Sequence, residues 1–132
     1  MARLQERINE EKKSMPWQYS QSTGQLTHNG QLVSTGYSGA GVGQDNTAME
    51  ATPSVGPIPR GAYTIGSPHQ GINTGPHVMD LTPSGHNALG RTSFQIHGDN
   101  STHTASSGCI VMGPAVRTQI SNSGDNVLNV VD

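Results

Sequence analysis

Two side chains in this sequence have the types and the spacing for nucleophilic catalysis. Cys109 is the only cysteine of the 132-residue chain, so its thiol has no internal disulfide partner and is free to react. His97 lies upstream of it, in the stretch FQIHGDNSTHTASSGCIVM of residues 94–112. A thiol is a good nucleophile only as the thiolate, and a neighbouring imidazole is a common means of making one. Ser106–Ser107–Gly108 leads into the cysteine as a tight turn. Glycine there admits positive φ and the close approach of a substrate. The backbone N–H groups of Gly108 and Cys109 are then expected to face one space, as an oxyanion hole requires. Against this stands the ordinary use of a free cysteine as a small buried hydrophobe, and the residues alone leave the two readings level. A third reading uses His97, His103 and Cys109, which recur every six residues, as zinc ligands. Close pairs such as C-x2-C or H-x3-H are missing, so no metal and no cofactor is assigned.

The elements that must position this pair are short strands. Phe94–Gln95–Ile96 and Ile110–Val111–Met112 are apolar runs on either side of a polar loop, which predicts two buried strands with the imidazole and the thiol at adjacent ends. Upstream, Trp17 and Tyr19 alternate with polar residues, Leu26 opens a second run, and Asn29–Gly30 is a strong hairpin signal. Residues 17–35 therefore read as a meander of three antiparallel strands. Gly36 to Gly43 (GYSGAGVG) reads as a glycine-rich loop without the spacing of a phosphate cradle, and Tyr37 in it is a candidate cover for the site. Residues 44–54 read as irregular surface. Gly56 to Gly61 is a stiff turn into a strand at Ala62–Ile65, and a loop over 66–76 precedes a strand over 77–81. Pro114 to Ile120 is expected to make one or two helical turns, with proline suited to the start. Val127–Val131 is expected to be the final strand. His28, His69, His77 and His86 are read as loop or surface residues.

Composition bounds the class. The chain has one domain's length, 31% hydrophobic residues, 17 glycines and a net charge of −2, which fits a turn-rich β domain better than a disordered chain. Four of the seven Lys/Arg fall in the first thirteen residues among Glu6, Glu10 and Glu11. No clustered cations remain for nucleic acid. No run reaches the length of a membrane span, and the N-terminus is too polar for a signal peptide. Residues 1–16 are expected to form a charged segment, a short helix or a linker, ahead of a domain over 17–132.

Taken in order, GPIPRGAYTI, FQIHGD and TASSGCIVM resemble the YkuD-like L,D-transpeptidase domain. The front segment WQYSQSTGQLTHNGQLVSTGYSGAG resembles the small L,D-transpeptidase-like toxins delivered by type VI secretion systems. The resemblance implies a mainly β sandwich or barrel-like sheet, with Cys109 as nucleophile, His97 as base and the Gly98 carbonyl orienting the imidazole. It implies action on peptidoglycan tetrapeptide stems, at the bond between a diamino acid and D-Ala. Exchange for a D-amino acid, hydrolysis or cross-linking would resolve the thioester. Tyr37, Ser106, Ser107 and Arg91 are the implied substrate contacts, with Arg117 a second candidate for gripping a stem carboxylate. A cognate immunity protein, a secretion-apparatus partner and action in the target-cell periplasm without a signal peptide follow from the same likeness. The chain departs from the family at Ser107, where histidine is common, and at Val111–Met112, where arginine is usual. Two other functions remain open, a non-catalytic module binding peptidoglycan or an inhibitor, and an unrelated cysteine peptidase. A catalytic thiol is expected to outpace free cysteine with iodoacetamide near neutral pH.

Overall fold

The computed structural model of the protein describes residues 15–71 and 74–132; the charged segment expected at the N-terminus lies outside them up to residue 14. The architecture is mainly β, a nearly closed barrel-like sheet with one helix. The strands are β1 (Trp17–Ser20), β2 (Gln25–His28), β3 (Gln31–Thr35), β4 (Tyr37–Ser38), β5 (Gly61–Ile65), β6 (His69–Gly71), β7 (Gly75–Ser84), β8 (Phe94–His97), β9 (Ile110–Val111) and β10 (Val127–Val131). Their order across the sheet is β3-β2-β1-β10-β5-β7-β8-β9-β4, with β6 added beside β7.

Period-2 patterning explains the core. Trp17, Tyr19, Leu26, Tyr63, Met79, Phe94, Ile96, Ile110, Leu128 and Val130 all point inward and are almost fully buried, while the residues between them face out. The expected meander forms as β1 to β3, with Asn29 and Gly30 both at positive φ (52° and 76°) in its hairpin turn. Helix α1 (Pro114–Asn122) starts with Pro114 in its first turn and packs Ile120 into the core.

Three departures from the sequence reading have physical causes. The glycine-rich stretch is not all loop, since Tyr37–Ser38 pairs with β9 as β4 and Gly41–Gly43 forms a 3-10 turn. Gly36 alone separates β3, at one edge of the sheet order, from β4 at the other. One ribbon, residues 31–38, thus joins both edges and closes the barrel. A Cβ on Gly36 would lie 1.9 Å from the Val111 carbonyl oxygen, so only glycine fits this seam. The loop over 66–76 contains β6, and β7 runs past its expected end through Pro83. Beyond Leu81 β7 has only β5 as a neighbour, which is where a strand proline is tolerated. Lastly, β10 does not end the sheet but lies inside it, parallel to β1 and antiparallel to β5.

Candidate active site

The site stands on the outer face of β7, β8, β9 and β4. Strand register builds it as two rows. Tyr37 pairs with Val111, and Val111 with His97, so these three side chains share a row. Ile96 pairs with Ile110 in the core below, which puts Cys109 beside Gln95 in the next outward row, and Gln95 pairs with Asp80. Rows on one face are two residues apart, so the Cys109 and His97 backbones are about 8 Å from each other on a diagonal.

His97 is 2% exposed. Its Nδ1 is 2.8 Å from the Gly98 carbonyl oxygen. A carbonyl only accepts, so Nδ1 carries a hydrogen, and Nε2 is the ring nitrogen left to exchange a proton with another group. A Cβ on Gly98 would come within 3.0 Å of the Arg117 guanidinium, so glycine is what lets that cation lie against the loop holding the imidazole.

Cys109 is half-buried and sits on the wall of a cleft of about 370 Å³, together with Arg91, Ser93, Phe94, Ser107 and Gly108. Sγ donates weakly to the Ser93 carbonyl at 3.7 Å and makes no hydrogen bond to His97. Ser93 holds that carbonyl in place from a left-handed backbone, φ 67°, a strained conformation of the kind that collects at functional sites. Burial pushes the thiol pKa up, while the Gln95 backbone and the Arg91 charge oppose it and Asp80 adds to it. The resting thiol is therefore protonated at neutral pH, so in the free protein the fast alkylation set as the mark of a catalytic thiol does not follow from this geometry.

The turn carrying Cys109 is built by residues whose part the sequence hides. Ser106 is buried, and its hydroxyl accepts from Gly39 N–H at 2.9 Å and Gly108 N–H at 3.1 Å while donating to the Cys109 carbonyl at 2.6 Å. Its bonding capacity is thereby spent inside the protein, not on a substrate. The Gly108 N–H expected in an oxyanion hole is likewise consumed by Ser106. Cys109 N–H takes no partner among the described residues and remains available. Ser38 Oγ donates to the Gly108 carbonyl and accepts from Ile58 N–H. Ser107 is exposed on the cleft.

Arg91 differs most from its expected part. It is 8% exposed, and its four terminal N–H groups donate to the carbonyls of Glu50, Pro57, Gly56 and Ser107 at 2.7–3.3 Å. No terminal donor is left for a stem carboxylate; the guanidinium instead ties the cysteine turn to the 50–57 loop. Gly108, at φ 134°, leaves it room, since a Cβ there would lie 2.4 Å from Nη2. Arg117 is buried too and donates to the Pro76, His77 and Gly113 carbonyls, joining α1 to β7. Tyr37 is no mobile cover. Its hydroxyl donates to Asp99 at 2.6 Å and accepts from Ala105 N–H at 2.9 Å, holding the 98–105 loop over His97. Burial first, and then the Asp99 hydrogen bond, push its pKa up to about 12.

The other histidines have structural partners. His28 stacks on Trp17 at 3.9 Å and pairs with Asp125, His86 bridges Ala62 and Ala88, His77 bonds Ser121, and His103 pairs with Asp99. Among the described residues no three His, Cys, Asp or Glu side chains converge as a metal set, and no helix is long and apolar enough to cross a membrane.

The sequence matches the family model of the Tlde1 domain over residues 33–130, most of the chain and all of the site. No curated protein matches it.

Proposed function

Since the chain belongs to the Tlde1 domain family, a family of type VI secretion effectors, we propose that it is an antibacterial enzyme acting on peptidoglycan. It cuts the diamino acid–D-Ala bond of tetrapeptide stems through a thioester on Cys109. The observation that supports this reading best is the construction around the only thiol. Ser38, Ser106 and Arg91 fix its turn so that Sγ lines a cleft, and an imidazole with its Nδ1 already committed stands one row away on the same face.

The reaction begins when the thiol leaves the Ser93 carbonyl and gives its proton to His97 Nε2. The thiolate adds to the stem carbonyl, and Cys109 N–H donates to the oxyanion. As the tetrahedral adduct collapses, the imidazolium returns the proton to the amine of D-Ala, which departs and leaves the thioester. Water then releases a tripeptide stem, or a D-amino acid replaces D-Ala, and either outcome restores the thiol. The Gly98 carbonyl keeps the imidazole oriented throughout, the part that an aspartate plays in a serine triad. Delivery by a secretion apparatus, action in the target-cell periplasm and neutralisation by a cognate immunity protein belong to the same reading.

Mass spectrometry of purified disaccharide-tetrapeptide, incubated with the protein with and without D-methionine, tests it. Loss of D-Ala or its replacement by D-Met is expected, and Cys109→Ala should abolish both. An unchanged substrate, with a folded protein and a reduced thiol, would turn the reading to a non-catalytic binding module.

A further inference from the structure

One carboxylate stands in line with the nucleophile. Asp80 of β7 is paired with Gln95 of β8, and Gln95 lies beside Cys109, one step before the Ile96–Ile110 pair. All three face outward, and two strand spacings put the Asp80 backbone about 10 Å from that of Cys109. A second cleft, of about 500 Å³, is lined by Asp80, Gln95 and Asn87 and shares the wall Arg91–Phe94 with the cleft at Cys109. The two lobes therefore meet along the 91–94 segment.

Asp80 is built for a ligand on one side only. Its Oδ1 accepts from Gln95 Nε2 at 2.9 Å and pairs with His69 Nε2 at 3.0 Å, while Oδ2 takes no hydrogen bond from the described residues. The His69 and Gln95 hydrogen bonds hold its carboxyl below the usual carboxylate range, so it is an anion at neutral pH. Its charge works against the thiolate, adding to the effect of burial on Cys109. Arg91, the nearest cation on the shared wall, has its terminal donors committed to backbone carbonyls. The cleft thus offers a substrate one open anionic group and no open terminal guanidinium donor.

Resting on the stem-peptide reading above, we propose that Asp80 is the subsite for the ω-ammonium group of the diamino acid whose carbonyl Cys109 attacks. An extended side chain carries that amine about 7 Å from the reacting carbonyl carbon, which suits the 10 Å row once the reach of the aspartate is deducted. Occupancy also relieves the cost of the carboxylate, because a bound ammonium offsets its field as the thiol must ionise. Asp80 in this way reads the substrate and couples its arrival to the nucleophile.

The test uses two tetrapeptide stems, identical except that one has its ω-amine acetylated, with kcat/KM measured from D-Ala release. The wild type is expected to prefer the free amine about tenfold, the worth of one charge-assisted hydrogen bond in a cleft. Asp80→Asn should lose that preference while its Cys109 is alkylated faster than in the wild type. Structural damage would also bare the thiol and speed its alkylation, but it would lower D-Ala release from both stems, whereas loss of the subsite leaves release from the acetylated stem as in the wild type. An equal preference in the two proteins, or none in the wild type, overturns the subsite. Release of D-Ala from neither stem by the wild type would instead remove the acyl-transfer reading beneath it. Should Asp80→Asn fail to fold, the wild-type preference is measured from low to high salt, and a preference that does not shrink with screening also overturns the subsite.

Discussion

Ser106 shows how much of this site is scaffold. A hydroxyl that accepts twice and donates once is worth its place only if the backbone groups around it would otherwise go unpaired, and here they belong to Gly39, Gly108 and Cys109. The price of that rigidity is a thiol half-sunk beside apolar walls. Its raised pKa gives a definite pH dependence. The folded chain keeps the Cys109 proton at pH values where the unfolded chain, near its ordinary 9.0, has lost it. This contribution to stability is complete below the unfolded value and declines as pH rises toward the raised folded value. The iodoacetamide rate of the free protein should therefore lag that of a small thiol at pH 7 and still be climbing past pH 9. A rate already at its plateau by pH 7 would show a thiolate at rest and contradict the burial argument.

At the scale of elements, sequence pattern went far where it reflects a local rule. Asn29–Gly30 gave the hairpin, alternation gave β1 and β8, and the glycine before Cys109 gave the turn, because each is decided by neighbours in sequence. What stayed hidden depends on partners far along the chain. Tyr37–Ser38 looks like loop among glycines, and becomes a strand only because β9 is there to pair with it. Arg91 looks like a free cation, and nothing near it in sequence says that four carbonyls wait for it. The expected oxyanion pair failed by half for the same reason, as Ser106 takes one N–H. Gly36 is the sharpest case, a glycine demanded by the Val111 carbonyl. Gly36→Ala should push β4 off β9, cost about 3 kcal/mol in denaturant unfolding and loosen the strand that follows Cys109, which under the proposed function lowers kcat as well. Stability within 0.5 kcal/mol of wild type, the range of a harmless surface change, would mean that the seam yields.

For the whole molecule, the match to the Tlde1 domain starts at residue 33, but the cooperative unit starts earlier. Trp17, Tyr19 and Leu26 are fully buried in the common core, and β1 is the parallel neighbour of β10 inside the sheet. A chain cut to residues 33–132 should expose one side of β10 and a large part of the core, and show no cooperative thermal transition by circular dichroism. A sharp transition from that fragment would shrink the unit to the matched region.

The pairing of β1 with β10 also sets the order of events at synthesis. Distant contacts carry the entropy of closing the loop between them, so sheets that depend on such contacts form slowly, on the order of milliseconds to seconds. Trp17 finds its place opposite Leu128 only when the whole stretch between them has left the ribosome. An interior strand of the sheet is thus made after every other strand it helps to hold. A nascent chain can hold Cys109 well before it holds the barrel that gives the residue its cleft, so for that interval the side chain is an ordinary exposed thiol.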